Sequence, residues 1–279
     1  MNLIDFAGNI NSQTGEDGII QKIFSIIPPR PKWAVEFGAW DGKYLSNTCC
    51  LVEREDFRAV FIEADRARFL ELNKIYDNND NVCCINGFVG FHENDNLDSI
   101  LRPIDIPTNF AILSIDIDGN DYHVWKAINR LKPMVVCIEY NPSIATGVRF
   151  VQPMDPAINW GSSISSITEL GKEKGYELVA ITLLNAIFVK TEYYSLFDID
   201  DNTPEKLRYD TSCVTHVFSG YDGQIIISGS GILPQHGISI GSRIKQLPKY
   251  FRSYPGNFSF LKMLLFKMYR RIVNNGRQC

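Results

Sequence analysis

Trp33-Ala-Val-Glu36-Phe-Gly38-Ala-Trp-Asp41-Gly42 decides the fold: an almost wholly apolar run passes directly into a turn of small residues. An apolar run of this length reads as a strand buried on both faces, and glycine after it lets a ligand approach the backbone closely. An ordinary tight strand-to-helix turn would show the same pattern, so the reading depends on the flanking sequence.

Outward from this segment, apolar runs and helical patterns alternate. Further strands are expected at Ala59–Glu63, Val82–Ile85, Ala111–Ile115, Val135–Glu139, Glu177–Ile181 and Ala186–Val189. Most are rich in Val, Ile and Phe throughout, as parallel strands covered on both faces are. Helices are expected over Asp65–Tyr76, over Tyr122–Asn129 behind a cap at Asp121, and over Ile164–Lys174 before Gly175. This alternation predicts an α/β protein with a Rossmann-like, doubly wound, mostly parallel sheet. The last two strands lie only a few residues apart, which predicts an antiparallel pair at one end. Residues 1–200 are expected to form this domain, with 201–279 as a C-terminal extension. In that extension Asp198–Asp210 reads as an acidic loop and Gln224–Leu233 as one strand.

Three groups of residues carry chemistry. The second strand ends in FIEAD, residues 61–65. Glu63 stands about 20 residues past the glycine turn, where an acid can accept hydrogen bonds from the ribose hydroxyls of an adenosine cofactor. A solvated strand-end carboxylate is the alternative. The fourth strand delivers SIDIDGND, residues 114–121, with Asp116, Asp118 and Asp121 close in sequence. Crowded carboxylates need a cation, donors or shared protons. An EF-hand loop is excluded, because its glycine and glutamate positions, counted from Asp116, hold Asp121 and Ala127. The fifth strand ends in Glu139-Tyr140-Asn141-Pro142. Hard oxygens from Asp116, Asp118, Glu139 and Asn141 at two strand ends would suit Mg²⁺. The competing reading has Asp121 capping a helix and Asp116 accepting backbone amides.

As an ordered set, these motifs resemble the FkbM-type branch of the class I methyltransferases. The matching stretches are Ser12-Gln-Thr-Gly15-Glu16-Asp17-Gly18, EFGAWDG, FIEAD, Leu97-Asp98-Ser99, SIDIDGND and VVCIEYNP, then Ser162-Ser-Ile-Ser-Ser through GYELV to NAIFVK. They run over roughly residues 10 to 190. The resemblance implies S-adenosylmethionine as cofactor and O-methylation, often of sugars. It implies that Glu36, Gly38 and Asp41 surround the methionine and ribose, that Glu63 binds the ribose, and that Asn86, Gly87 and Phe88 border the adenine. Related metal-dependent methyltransferases place an Asp-Asn pair after the fifth strand; here Tyr140 splits the corresponding pair. Asp116 or Asp118 is the expected base, with His123 second, since imidazole titrates in the useful range. The expected acceptor is a hydroxyl of a saccharide or glycoconjugate, as in surface-polysaccharide modification. The rivals are a sugar N-methyltransferase, a nucleotide-binding oxidoreductase, which the missing GxGxxG disfavours, and a silent adaptor. Ser12–Gly18 is read two ways, as a helix opening with acids at its N-terminus or as a segment near the cofactor.

Charge is uneven although the net value is only −4. No acid follows Asp222, while nine Lys and Arg lie between Arg243 and Arg277, so the first 222 residues carry −13. Nothing in the overall charge points to nucleic acid. Phe258–Val273 is expected to be a basic amphipathic helix, with Leu261, Leu264, Leu265, Met268 and Ile272 on one face. It would pack on its own domain or touch an anionic membrane. The seven cysteines form no CxxC. With no signal peptide or transmembrane run, the expectation is a cytoplasmic protein with reduced thiols, peripheral to a membrane at most.

Overall fold

A computed structural model describes residues 1–233, 236–240 and 247–275, and the chain divides into two compact units, Met1–Thr211 and Ser212–Cys279. The first unit is built on seven strands: β1 (Trp33–Phe37), β2 (Arg58–Glu63), β3 (Val82–Asn86), β4 (Ile112–Ile115), β5 (Val135–Glu139), β6 (Tyr176–Ile181) and β7 (Asn185–Lys190). Its helices are α1 (Glu16–Ile26), α2 (Cys49–Arg54), α3 (Arg66–Tyr76), α4 (Leu97–Ile100), α5 (Asp121–Ala127), α6 (Ile164–Glu173), α7 (Thr191–Tyr194) and α8 (Pro204–Leu207).

The strands lie in the order β3-β2-β1-β4-β5-β7-β6, and β1 to β5 pair parallel with their neighbours. β7 alone runs antiparallel, inserted between β5 and β6. The antiparallel pair is thus present, but its second member lies inside the sheet. The short Thr182–Leu184 connection turns the chain straight back beside β6, and the β5 edge closes on the returning strand. This is the Rossmann-like sheet of the class I methyltransferase type that the sequence led us to expect.

Alternation along each strand feeds two apolar layers. Val35, Phe37, Val60, Ile62, Leu113, Ile115, Val136 and Ile138 face the layer of α4, α5 and α6. Ala34, Ala59, Phe61, Ile112, Val135 and Cys137 face α1, α2 and α3. The same parity puts Glu36, Ser114, Asp116 and Glu139 on the α1–α3 side. Register pairs Glu36 with Ser114 across β1 and β4. Both strand-end acids therefore emerge at the carboxyl edge on one face, the edge at which open α/β sheets bind ligands.

The segment expected as an acidic loop, Asp198–Asp210, contains α8, started by Pro204 at its first turn. Arg208, directly after it, is buried, and its guanidinium donates to the carbonyls of Pro142 (2.6 Å) and Ile144 (2.7 Å).

In the second unit β8 (Thr215–Ser219) and β9 (Ile225–Gly229) form a hairpin, and β10 (Ile232–Leu233) pairs with β11 (Ile238–Ser239). The single strand expected over Gln224–Leu233 is thus two, broken where Gly229 and Gly231 take positive φ of 91° and 59°. α9 (Phe260–Asn275) lies close to the expected amphipathic helix. The six described cysteines are free, and Cys279 lies outside the described residues. No helix among the described residues is long and apolar enough to cross a membrane.

Candidate active site

The turn after β1 is fixed from three sides. Gly38 has φ 73°, and a Cβ there would stand 1.7 Å from the Asp116 carbonyl oxygen. Only glycine lets the ends of β1 and β4 approach so closely. Trp40, also at positive φ, donates its backbone N–H to Glu63 Oε2 at 2.8 Å, while Asp65 N donates to Glu63 Oε1 at 2.7 Å. The Glu63 carboxylate therefore clamps the β1 turn to the start of α3 and retains lone pairs, since a carboxylate has about four acceptor sites. Asp41 accepts the amides of Lys43 and Tyr44 at 2.9 and 2.7 Å and closes the next turn. Arg68 lies over the Trp40 ring, 3.7 Å from its centroid.

Glu36 faces its own loop. It is 4% exposed and accepts Ser46 Oγ (2.6 Å), Asn47 N (2.9 Å) and Thr48 Oγ (2.6 Å). Burial raises its pKa against the lowering effect of these donors. Asn47 Nδ2 continues the network to Ser114 Oγ at 3.1 Å. Sequence reasoning does not find Ser46-Asn47-Thr48. The one signal there is a polar triplet directly before an apolar helical run, which is how helices start.

At the end of β3, Asn86 Nδ2 donates to the carbonyls of Glu63 (2.8 Å) and Ala64 (3.2 Å), and Gly87 N donates to Glu63 O (3.1 Å). Phe88 follows with its ring half exposed. Glu63, Asn86, Gly87 and Phe88 thus converge on one stretch of the carboxyl edge.

Asp116, Asp118 and Glu139 meet at the ends of β4 and β5, each offering an oxygen within 4.8 Å of the others. Asp118 is exposed and held at φ 56°. Burial, then the charges of Asp121, Asp118, Glu36 and Glu16, push Asp116 up to about 8. Burial followed by the same cluster raises Glu139 well above the usual carboxylate range. Asp121 acts on the backbone instead. Its oxygens accept Ile117 N and Gly119 N, both at 2.9 Å, and fold the loop back on the start of α5. It sits inside the first turn of the helix, and Asn120 occupies the cap position.

The other two candidates are engaged elsewhere. His123 is buried on α5 beneath the opposite layer and donates from Nε2 to the Gln152 carbonyl at 2.8 Å. Asn141 donates to Trp160 O at 2.6 Å and accepts from Ser143 N and Oγ. Both hold the connection between β5 and α6 against the site. Asn120 adds bonds to the carbonyls of Asp155 (3.1 Å) and Ile158 (3.2 Å), and Gln152 Oε1 accepts Trp160 N and Gly161 N. The Trp160 side chain is 57% exposed.

Ser12–Gly18 is a second buried carboxylate device. Asp17 Oδ2 accepts Ile10 N, Asn11 N and Ser12 N at 2.7–2.8 Å. Glu16 accepts Thr14, Thr182 Oγ (2.6 Å) and Asn185 Nδ2 (3.0 Å), joining the start of α1 to the β6–β7 turn. Burial alone would raise the Glu16 pKa, but these donors outweigh it and the pKa is lowered. Beside this junction lies a cleft of about 460 Å³ bordered by Ile4, Thr14, Thr182, Leu183 and Tyr209. None of the three clustered carboxylates lines it. Titratable groups thus converge at the strand ends and not at the cleft.

No family model matches the chain, and no curated protein matches its sequence. Solved structures do resemble it. The N-terminal domain of EvdMO1, determined with SAH and D-fucose, is 9% identical over 63% of this chain and 82% of that one, with a TM-score of 0.39. A Staphylococcus aureus protein provisionally assigned as a caffeoyl-CoA O-methyltransferase is 15% identical over 67% and 87%, at 0.42. A Klebsiella pneumoniae protein provisionally assigned as an O-methyltransferase is 11% identical over 66% and 83%, at 0.44. At such identities and scores the roles of individual residues rest on the geometry of the site.

Proposed function

We propose that this chain is an S-adenosylmethionine-dependent O-methyltransferase whose acceptor is a hydroxyl of a saccharide or glycoconjugate. The observation that carries the proposal is the juxtaposition, on one sheet edge, of the Glu63-clamped turn with the Asp116–Asp118–Glu139 cluster. The residues fit the cofactor. Glu63 keeps acceptor capacity for ribose hydroxyls, Asn86 to Phe88 offer an edge and a half-exposed ring to a base, Gly38 keeps the turn free of a side chain, and Asp41 holds the turn that follows. Glu36 acts from behind, holding Ser46 to Thr48 so that the turn keeps its shape.

When bound, S-adenosylmethionine supplies a methyl group on a sulfonium centre, which an aligned oxygen of sufficient basicity can take. Asp116 and Glu139 supply that basicity. A carboxylate made reluctant to ionise by burial and like charges binds a hydroxyl proton more strongly than a free one does. Asp118, exposed at the rim, orients the acceptor. The three hard oxygens also suit Mg²⁺, held by Asp116, Asp118 and Glu139, with Asn141 positioning the neighbouring loop instead of ligating. A divalent ion there would neutralise the crowding and polarise the hydroxyl.

The test is calorimetric titration of the whole chain with S-adenosylhomocysteine, with Mg²⁺ and with chelator. Glycan and sugar-nucleotide acceptors are then screened by mass spectrometry for a gained methyl group. Micromolar binding followed by methyl gain on a sugar hydroxyl is the expected result. A folded protein that does not bind S-adenosylhomocysteine would overturn the reading.

A further inference from the structure

The second unit ends in a helix with two different apolar faces. On one face, Phe266 and Tyr269 of α9 pack on Phe251 at ring distances of 5.5 and 5.4 Å, and Phe266 meets Phe258 at 5.5 Å. Lys262 belongs to this face too, its Nζ lying 4.4 Å from the Phe258 ring centroid and donating to Ser253 Oγ at 2.8 Å. Those contacts dock the helix on its own unit. They leave a second stripe uncovered: Leu261, Leu264, Leu265, Met268 and Ile272 are 62, 48, 40, 55 and 72% exposed. At roughly 100° per residue these five span about 100° of the helix, a full apolar face. Lys267 and Arg271 border it and are exposed, and Arg270 is exposed on the opposite side of the helix. Tyr250 and Tyr254 are exposed in the same unit, at 55 and 57%.

We infer that α9 is an in-plane membrane anchor whose partner is an anionic lipid surface. Charge selects this occupant over a second copy of the chain. From Ser212 onward Asp222 is the sole acid, against nine Lys and Arg. A two-fold interface would set one basic border against another with only Asp222 of this unit to pair them. Anionic lipid supplies the opposite charge and an apolar layer for the leucines together. The geometry suits a helix lying in the interface: 16 residues reach only about 24 Å, too short to span the bilayer, whose core is roughly 30 Å thick. Amphipathic tyrosine rings are at home at the headgroup level.

The test is flotation of the full chain with vesicles rich in phosphatidylglycerol and with vesicles of phosphatidylcholine alone. The protein should float with the first and stay behind with the second. Neutralising Lys267 and Arg271 to Gln should lower partitioning on the order of 25-fold, at about fivefold per basic residue. Leu264→Gln and Met268→Gln should each lower it roughly tenfold. These side chains are exposed, so circular dichroism should stay unchanged and a loss of flotation cannot be ascribed to unfolding. Absence from the anionic vesicles, equal flotation with both lipids, or a concentration-dependent dimer that Met268→Gln dissociates would each overturn the inference.

Discussion

Removing the Glu63 carboxylate separates its structural role from its binding role. In the structure it clamps two backbone amides, Trp40 N and Asp65 N, and both donors belong to exposed residues. Water can take over those N–H groups in Glu63→Ala, so the stability cost sits at the low end for charged hydrogen bonds, about 1–2 kcal/mol in all. The cost to cofactor binding is larger. Two ribose hydroxyls bound to an ionised acceptor contribute roughly 1.5–3 kcal/mol each. Allowing for partial replacement by water, a loss near 3–4 kcal/mol weakens binding about 10²–10³-fold. Glu63→Gln should fall between, about 10–10²-fold, because its NH₂ end must face either an amide donor or a hydroxyl that still finds an acceptor elsewhere. Calorimetry with S-adenosylhomocysteine reads the affinity and urea unfolding the stability. If both variants shift the urea midpoint while affinity stays at the wild-type value, Glu63 is a turn clamp alone and the ribose assignment is wrong.

Three further outcomes are expected. Asp118→Asn removes the carboxylate while keeping a residue that tolerates φ 56°; with the acceptor less well oriented, turnover should drop on the order of 10²-fold with S-adenosylhomocysteine affinity nearly unchanged, and normal turnover would take Asp118 out of the mechanism. Gly38→Ala would place a methyl 1.7 Å from the Asp116 carbonyl oxygen at φ 73° and should destabilise by about 3 kcal/mol or more in urea unfolding; Gly147→Ala, with no atom within 4 Å, is the matched control and should leave the midpoint unchanged. Glu16 has a folded-state pKa below its ordinary value of 4.5, so the stability it adds is present above that value and is lost as pH falls through the folded value. Glu16→Gln should therefore be less stable than the wild type at neutral pH, and the gap should close in acid below about pH 4.5; a gap that stays constant would contradict the assignment.

β1, β2 and β4 to β7 are legible because burial on both faces imposes a mostly apolar composition, which survives in a single sequence; β3, half exposed, is legible from its short Val-Cys-Cys-Ile run. β8 was not legible: Thr215, His216, Val217, Phe218 and Ser219 sit in a hairpin exposed on most positions, so no contrast of inside and outside is written into them. The insertion of β7 between β5 and β6 depends on which edge accepts a returning strand, and the composition of β7 would suit either place. In the site, strand-end acids stood out by type and position. The side chains that hold the surrounding loops did not, because Ser46 to Thr48, Gln152 and Asn185 are ordinary polar residues whose bonds acquire meaning only once the chain has closed; Asn185 meets Glu16 across 169 positions.

Sequence alone treats all acids at this edge alike, although the folded chain divides them into two kinds. Glu16, Asp17, Glu36 and Asp121 face donors: three backbone amides on Asp17, two on Asp121, hydroxyls and an amide on Glu36. Each converts buried charge into loop geometry, and replacing one should disturb folding before chemistry. Asp116 and Glu139 instead face other carboxylates, and burial together with these like charges raises both pKa values. A fold gains nothing from unpaired like charges, so the second kind persists only where something from outside the chain completes it: a proton, a cation or an acceptor hydroxyl. Glu63 belongs to the first kind, holding two amides, yet a carboxylate has acceptor sites beyond two, which is why its replacement is the sharpest single test of the proposed cofactor site.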